Sequence, residues 1–252
     1  MASNIWQIKQ SVSFILLAVV MVAFIAFVER KEKQYKAMEV YVQGISDVYF
    51  VDEAEVLKLL ENEFPVLKTG NHLADISLNK IEGKVESHPL VKNAEVFKDL
   101  KGNIVVKIEQ YRPVARIIRP MAAHGYISVE GVVLPTSPRY TTRVLTLEGA
   151  LADELLGQED LSKEYGDLMK LIHFIEQDEF WSAQIASLEI NRKQEIKMYQ
   201  QVGKQVIEFG RPIEIEEKFK KITLFYKEIL PVKGWNTYDR VNVKYKDQII
   251  CE

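Results

Sequence analysis

Paired imidazoles, an activated thiol or facing carboxylates would be the starting points for chemistry in this sequence, so each was sought first. His72, His88, His124 and His173 are scattered, and none stands in the HExxH or His-x-His spacing that brings two imidazoles to one metal ion. His88 precedes Pro89 at an expected helix end, where a structural role suits it. No serine elbow, GxxxxGKS/T loop or GxGxxG turn occurs, so neither an activated serine nor a phosphate cradle is expected. Glu214, Glu216 and Glu217 resemble an acid/base cluster, yet they open a helical segment, where carboxylates complement the positive end of the helix dipole. Arg112, Arg116 and Arg119 could meet an anion, although a solvated strand face explains them as well. Cys251 has no partner pattern for a nucleophilic thiolate. No catalytic residue, cofactor or metal site is therefore expected, and surfaces become the candidate working parts.

Composition narrows the partners. The chain has a net charge of −3 and a pI near 5.9, so no broad basic field speaks for nucleic acid. A single cysteine excludes an intrachain disulfide and a cysteine-based metal cluster. The apolar run Val12 to Val28 contains one polar residue, Ser13, and no charge. At about 1.5 Å per residue it approaches the thickness of a hydrocarbon core, it exceeds a signal-peptide h-region, and its exit lacks a small-x-small cleavage pattern. It reads as a membrane helix with Trp6 and Tyr35 at the two interfaces. Lys9 precedes it while Arg30, Lys31 and Lys33 follow, so charge bias alone does not place the N-terminus inside.

The elements that would carry a surface follow in order. Met38, Val40 and Val42 alternate with polar neighbours, as in a half-buried strand. Asp52 is placed to cap a helix, with Glu55 at the capping-box position and Val51 and Val56 at staple spacing. Val56, Leu59, Leu60 and Phe64 form its stripe and Pro65 stops it. Ser77 is placed to cap a second helix, with Leu78, Ile81 and Val85 on the buried face. A strand from Val91 to Lys98, a turn at Lys101-Gly102-Asn103 and a returning strand from Ile104 to Glu109 complete a strand-helix-helix-strand-strand module.

Beyond Tyr111-Arg112-Pro113 strands recur: Val114 to Ile118, Tyr126 to Val129, Val132 to Leu134, Arg143 to Leu147, Ile185 to Ile190, Ile196 to Tyr199 and Gln205 to Phe209. Two helices intervene, at about Leu161 to Ile175 and about Glu216 to Ile229, the second ended by Pro231. The last stretch alternates, with Val241, Val243 and Tyr245 on one side and Arg240, Asn242 and Lys244 on the other.

Three segments then carry a resemblance: Ser87-His88-Pro89-Leu90-Val91-Lys92-Asn93-Ala94-Glu95-Val96, Ile108-Glu109-Gln110-Tyr111-Arg112-Pro113-Val114-Ala115, and Tyr126-Ile127-Ser128-Val129-Glu130-Gly131-Val132-Val133-Leu134-Pro135. In this order, behind one apolar run, they resemble the bitopic cell-division proteins of the FtsQ/DivIB family, in an extended form similar to the Bacteroidetes branch. The ending Tyr238 to Tyr245 resembles the family's last strand, with Lys244 in place of its arginine. The resemblance implies an α+β protein: a cytoplasmic tail at 1–11, a single N-terminal transmembrane helix at 12–28, a stalk at 29–37, a POTRA-like βααββ domain at 38–112, and a mixed β-sheet domain with flanking helices at 113–252. It implies a non-enzymatic divisome scaffold in the inner membrane, N-terminus cytoplasmic and later domains periplasmic. Its implied partners are FtsB- and FtsL-like coiled-coil proteins and other divisome components, through which it would help control septal peptidoglycan synthesis.

An edge strand offers unpaired backbone groups for a partner segment, so the expected partner-binding residues are Arg240, Val241, Asn242, Val243, Lys244, Tyr245 and Asp247. Tyr245 would pack on the incoming segment, or else fill the domain core, while Arg240 and Lys244 would meet acidic groups. Two other readings stand beside this one: a POTRA-bearing factor that binds polypeptides in export or outer-membrane assembly, and a membrane-tethered hydrolase with an unrecognised site between Val114 and Glu252.

Overall fold

A computed structural model describes residues 17, 19–23, 38–43, 50–65, 67 and 77–252. The expected tail at 1–11, the stalk at 29–37, the connection Thr69-Gly70-Asn71 and most of the run at 12–28 lie outside them. Within that run Leu17 and residues 19–23 are helical, with Leu17, Val19, Val20, Met21 and Val22 exposed. Among the described residues no helix is long and apolar enough to cross a membrane. The remainder divides into two compact units, one of residues 38–43 and 51–109, the other of Phe50 and residues 110–252.

In the first unit β1 (Met38–Gln43), α1 (Glu53–Glu63), α2 (Leu78–Glu86), β2 (Val91–Lys98) and β3 (Ile104–Gln110) follow the expected order. Among the described residues the strands form a three-stranded sheet ordered β1-β3-β2, with β1 parallel to β3 and Val40 opposite Val106. The parallel β1–β3 pair needs a crossover, and the two helices supply it. Val56 and Leu60 of α1 and Ile81 and Val85 of α2 are all buried, so the 3.6-residue stripes read in the sequence do face a core. Asp52 caps α1 by accepting a hydrogen bond from the Glu55 backbone N–H at 2.8 Å. Ser77 occupies the equivalent position before α2 without a side-chain bond to the helix, so there the hydroxyl contributes no cap. The β2–β3 turn is tied by Asp99, whose carboxylate accepts from the N–H groups of Lys101 and Asn103, while Gly102 takes the left-handed conformation at φ 87°.

The second unit contains β4 (Pro113–Ile117), β5 (Gly125–Ser128), β6 (Val133–Pro135), β7 (Leu145–Glu148), α3 (Ala152–Leu156), α4 (Gly166–Gln177), α5 (Glu179–Gln184), β8 (Ile185–Ile190), β9 (Ile196–Gln200), β10 (Val206–Gly210), α6 (Ile215–Leu224), α7 (Leu230–Lys233), β11 (Arg240–Asn242) and β12 (Ile250–Cys251). Among the described residues the strands make one nine-stranded sheet in the order β12-β11-β10-β9-β8-β7-β4-β5-β6. Three adjacent strands, β4, β7 and β8, run parallel, and the chain between β7 and β8 returns through α3, α4 and α5. Leu168, Leu171, Ile172 and Ile175 of α4 and Phe219 and Ile222 of α6 are buried in its core. Phe219 gathers the rings of Phe174, Trp181 and Phe209 at centroid distances of 4.6, 4.8 and 5.6 Å.

Two features differ from expectation. Pro231 does not stop the last helix. The backbone passes from α6 through a π-helical turn, Phe225–Ile229, in which the Leu230 N–H reaches the Phe225 carbonyl, and continues into α7 with Pro231 in its first turn. The short helices α3 and α5 were not anticipated. Asp178 starts the second of them by accepting from the N–H groups of Phe180 and Trp181, both at 2.9 Å.

Candidate functional site

Suspected catalytic residues come apart when placed. Arg112 pairs with Glu176 at 2.6 Å, Arg119 with Asp153 at 2.8 Å, and the Arg116 guanidinium lies over the Tyr126 ring at 5.5 Å. The three cations thus serve different elements and converge on no common anion. Glu216 and Glu217 occupy the first turn of α6, as the dipole argument requires, and Glu214 precedes it in a left-handed conformation at φ 53°. His88 follows α2, with Nε2 at 3.6 Å from Glu55 and Nδ1 accepting from the Leu90 N–H at 3.3 Å. Among the described residues no group of three or more His, Cys, Asp or Glu side chains could hold a metal ion. Burial pushes the Cys251 thiol above its ordinary pKa, opposite to what a nucleophile needs.

The C-terminal end of the larger sheet corrects the expectation of one open terminal strand. β11 spans only Arg240–Asn242 and lies between two neighbours. On one side it runs parallel to β10, with Ile207 opposite Val241. On the other it pairs antiparallel with β12, with Val241 opposite Cys251 and Asn242 opposite Ile250. The Glu252 N–H donates to the Arg240 carbonyl at 3.0 Å, and the Glu252 carbonyl accepts from Asp239 and Arg240 at 2.7 and 2.9 Å. β12 therefore takes the edge that β11 was expected to offer. By the alternation of an antiparallel pair, the backbone N–H and C=O of Cys251 face outward.

Alternation in the sequence holds as far as Val243 and then stops. Val241 and Val243 are fully buried, whereas Tyr245 is 54% exposed and belongs to a turn, which removes the alternative of a core tyrosine. Beyond the strand, Lys221 of α6 donates its ammonium to the Tyr245 carbonyl at 2.5 Å and to the Val243 carbonyl at 3.4 Å, satisfying backbone groups that have left the ladder. Asp247 takes a left-handed conformation at φ 55° and reverses the chain toward β12.

Electrostatics at this end centre on Glu208 of β10. Its carboxylate accepts from the Asn242 amide at 3.0 Å and lies 3.4 Å from Lys244 Nζ and 3.7 Å from an Arg240 nitrogen, while Arg240 also reaches Glu252 at 2.5 Å. The cations expected to meet acidic partner groups are thus already balanced inside the chain. What remains available is a short backbone edge at Cys251, together with the exposed side chains of Tyr245, Asp247 and Ile250.

The smaller sheet has a differently treated edge. The N–H groups of Ala94 and Val96, two residues apart on β2, donate to the carboxylates of Glu86 and Glu82 on α2 at 3.4 and 3.3 Å. Those carboxylates occupy positions that an added strand's carbonyls would take.

The first unit has the βααββ order and β1-β3-β2 sheet of a POTRA-like module, and the second is a mixed sheet flanked by helices. A family model described as a POTRA-like domain matches residues 34–109, and one described as FtsQ/DivIB, C-terminal related, matches residues 112–252. The latter covers more than half of the chain, which belongs to the FtsQ/DivIB family. No curated protein matches it. Membership implies a role in cell division; proteins of this family are membrane-anchored, and both domain types are generally non-enzymatic scaffolds.

Proposed function

We propose that this protein is a single-pass inner-membrane scaffold of the bacterial divisome that recruits FtsB- and FtsL-like coiled-coil partners through its extracytoplasmic part and through them helps control septal peptidoglycan synthesis. The observation that carries the partner site is the outer edge of β12, whose backbone groups at Cys251 face outward, with Tyr245 and Ile250 exposed on the segment that leads into and forms that strand. A partner strand adds there by continuing the sheet, with alternate side chains meeting Tyr245 and Ile250. The anchor is supported by the uncharged run at 12–28 and by the exposed apolar side chains of its described residues, a surface costly in water and favoured in lipid. The N-terminus is cytoplasmic and both units are periplasmic in this reading, which follows the family.

Of the other readings, a polypeptide-binding POTRA factor would use an edge of the smaller sheet, and the Glu82 and Glu86 carboxylates on β2 count against that edge. A tethered hydrolase would need convergent acid and base groups, whereas the arginines that suggested one serve separate partners and Glu216 and Glu217 sit in the first turn of α6.

The test is a pull-down from membranes with an N-terminally tagged full-length chain, comparing wild type with Tyr245→Glu and with a chain ending at Asp247, which lacks β12 but keeps buried Val241 and Val243. Loss of coiled-coil division proteins from both variants, with circular dichroism unchanged, is the expected result. Partners retained by both would move the interface elsewhere, and their absence from wild type would overturn the divisome assignment.

A further inference from the structure

A cavity of about 520 Å³ in the second unit lies apart from the C-terminal edge and shares no residue with it. Phe180, Tyr226 and Trp235 contribute rings, Gln184, Gln205 and Asn236 contribute amides, and Val202 stands at the rim. Phe180 and Trp235 are 56% and 58% exposed, while Gln205 is 3% exposed and forms the floor. Among the described residues no charged side chain lines the cavity.

The amides of Gln184 and Gln205 are held in one orientation. Gln205 donates its amide nitrogen to the Trp235 carbonyl at 2.5 Å, and a carbonyl can only accept, so Oε1 is the free end of that side chain. Gln200 donates to the Gln205 carbonyl at 2.9 Å, which turns its own Oε1 toward the Tyr226 hydroxyl and the Gln184 amide, both of which donate to it. Gln184 also donates to the Val202 carbonyl at 3.0 Å. The relay ends in two carbonyl oxygens, Oε1 of Gln184 and of Gln205, that accept no hydrogen bond among the described residues. Gly203 keeps the space beside one of them clear: a Cβ there would stand 2.8 Å from Gln205 Oε1.

We propose that this cavity binds a neutral pyranose saccharide. An uncharged lining selects an uncharged ligand. An acceptor open to the cavity can take a donor, and sugar hydroxyls supply donors on the same molecule as a weakly positive C–H face that stacks on aromatic rings, whose faces are electron-rich. A proline-rich peptide would also suit the aromatic walls, but its backbone at proline has no N–H to give Gln205.

Titration of maltotriose and chitotriose into ¹⁵N-labelled full-length protein in lipid nanodiscs, read at the tryptophan indole N–H resonances, tests this, with Trp235→Phe used for assignment. The Trp235 resonance should shift saturably at millimolar saccharide while that of buried Trp181 stays in place. Affinity, read by isothermal titration calorimetry because Trp235→Ala removes the reporting indole, should fall at least about tenfold in Trp235→Ala and in Gln205→Leu. Should Gln205→Leu fail to fold, Trp235→Ala still reads the site, because that ring is mostly exposed. No saturable shift with either saccharide, binding heat undiminished in Trp235→Ala, or a shift with a proline-rich decapeptide alone would overturn the assignment. None of these outcomes depends on partner recruitment at β12.

Discussion

Tyr199 on β9 donates its hydroxyl to Glu189 on β8 at 2.5 Å. That hydrogen bond, with burial adding to it, raises the phenol from the ordinary 10.0 to about 12. Because the unfolded phenol ionises first, the stability from this pair is complete below pH 10.0 and is lost as pH rises toward about 12. Urea melts across that window should show a steeper decline in wild type than in Tyr199→Phe; equal slopes would sink the assignment. Some slope will remain in the variant, because burial and the Glu154 carboxylate raise Tyr165 as well. Neither pair could be read from the sequence. Glu154 and Tyr165 stand on either side of a turn, and Glu189 meets Tyr199 only across two strands whose register the fold decides. Buried Lys218 is a similar case: its ammonium donates to the Arg211 carbonyl at 2.7 Å and lies over the Phe209 ring at 4.8 Å, although its place in a run of lysines and glutamates suggests a solvated face.

Among the elements, α2 has a second task besides packing Ile81 and Val85. Glu82 and Glu86, four residues apart on one face, shield the N–H groups of edge strand β2. Replacing both with alanine should expose Ala94 and Val96 N–H and produce a concentration-dependent dimer by light scattering. A double variant that stays monomeric at high concentration would show that the carboxylates do not guard this edge. Helices with long apolar stripes, α1, α2, α4 and α6, were readable because burial imposes a 3.6-residue period. The five-residue α3 and six-residue α5 are too short to display one. β12, two residues long, has no alternation to see, and this is why an open edge was expected at β11. Alternation also cannot announce that Lys221, some twenty residues earlier in the chain, would hold the Tyr245 carbonyl.

At the scale of the molecule, strand order in the larger sheet was beyond sequence reasoning, since β7 joins β4 and β8 joins β7 through pairings that local pattern does not encode. Phe50 shows the same limit. It stands in sequence between β1 and α1, yet it belongs to the second unit, 1% exposed, with its ring 5.2 Å from Tyr126 and 5.8 Å from Tyr140 and its carbonyl accepting from Ser137. Phe50→Ala should cost about 3–5 kcal/mol by urea denaturation. A fragment beginning at Gln110 should show a comparable deficit, because it lacks the same ring. A loss below about 1 kcal/mol would mean that the site collapses around the missing side chain.

The two-residue β12 carries the chain's sole cysteine, with its thiol partly covered and its ionisation suppressed by burial. A thiol reagent attacks faster when that strand lifts from the sheet, and labelling has one source because the chain has one cysteine. The rate at which the native protein takes up such a reagent is then a stopwatch on how often the edge frays, and a molecule that settles there would slow the clock before any complex is isolated.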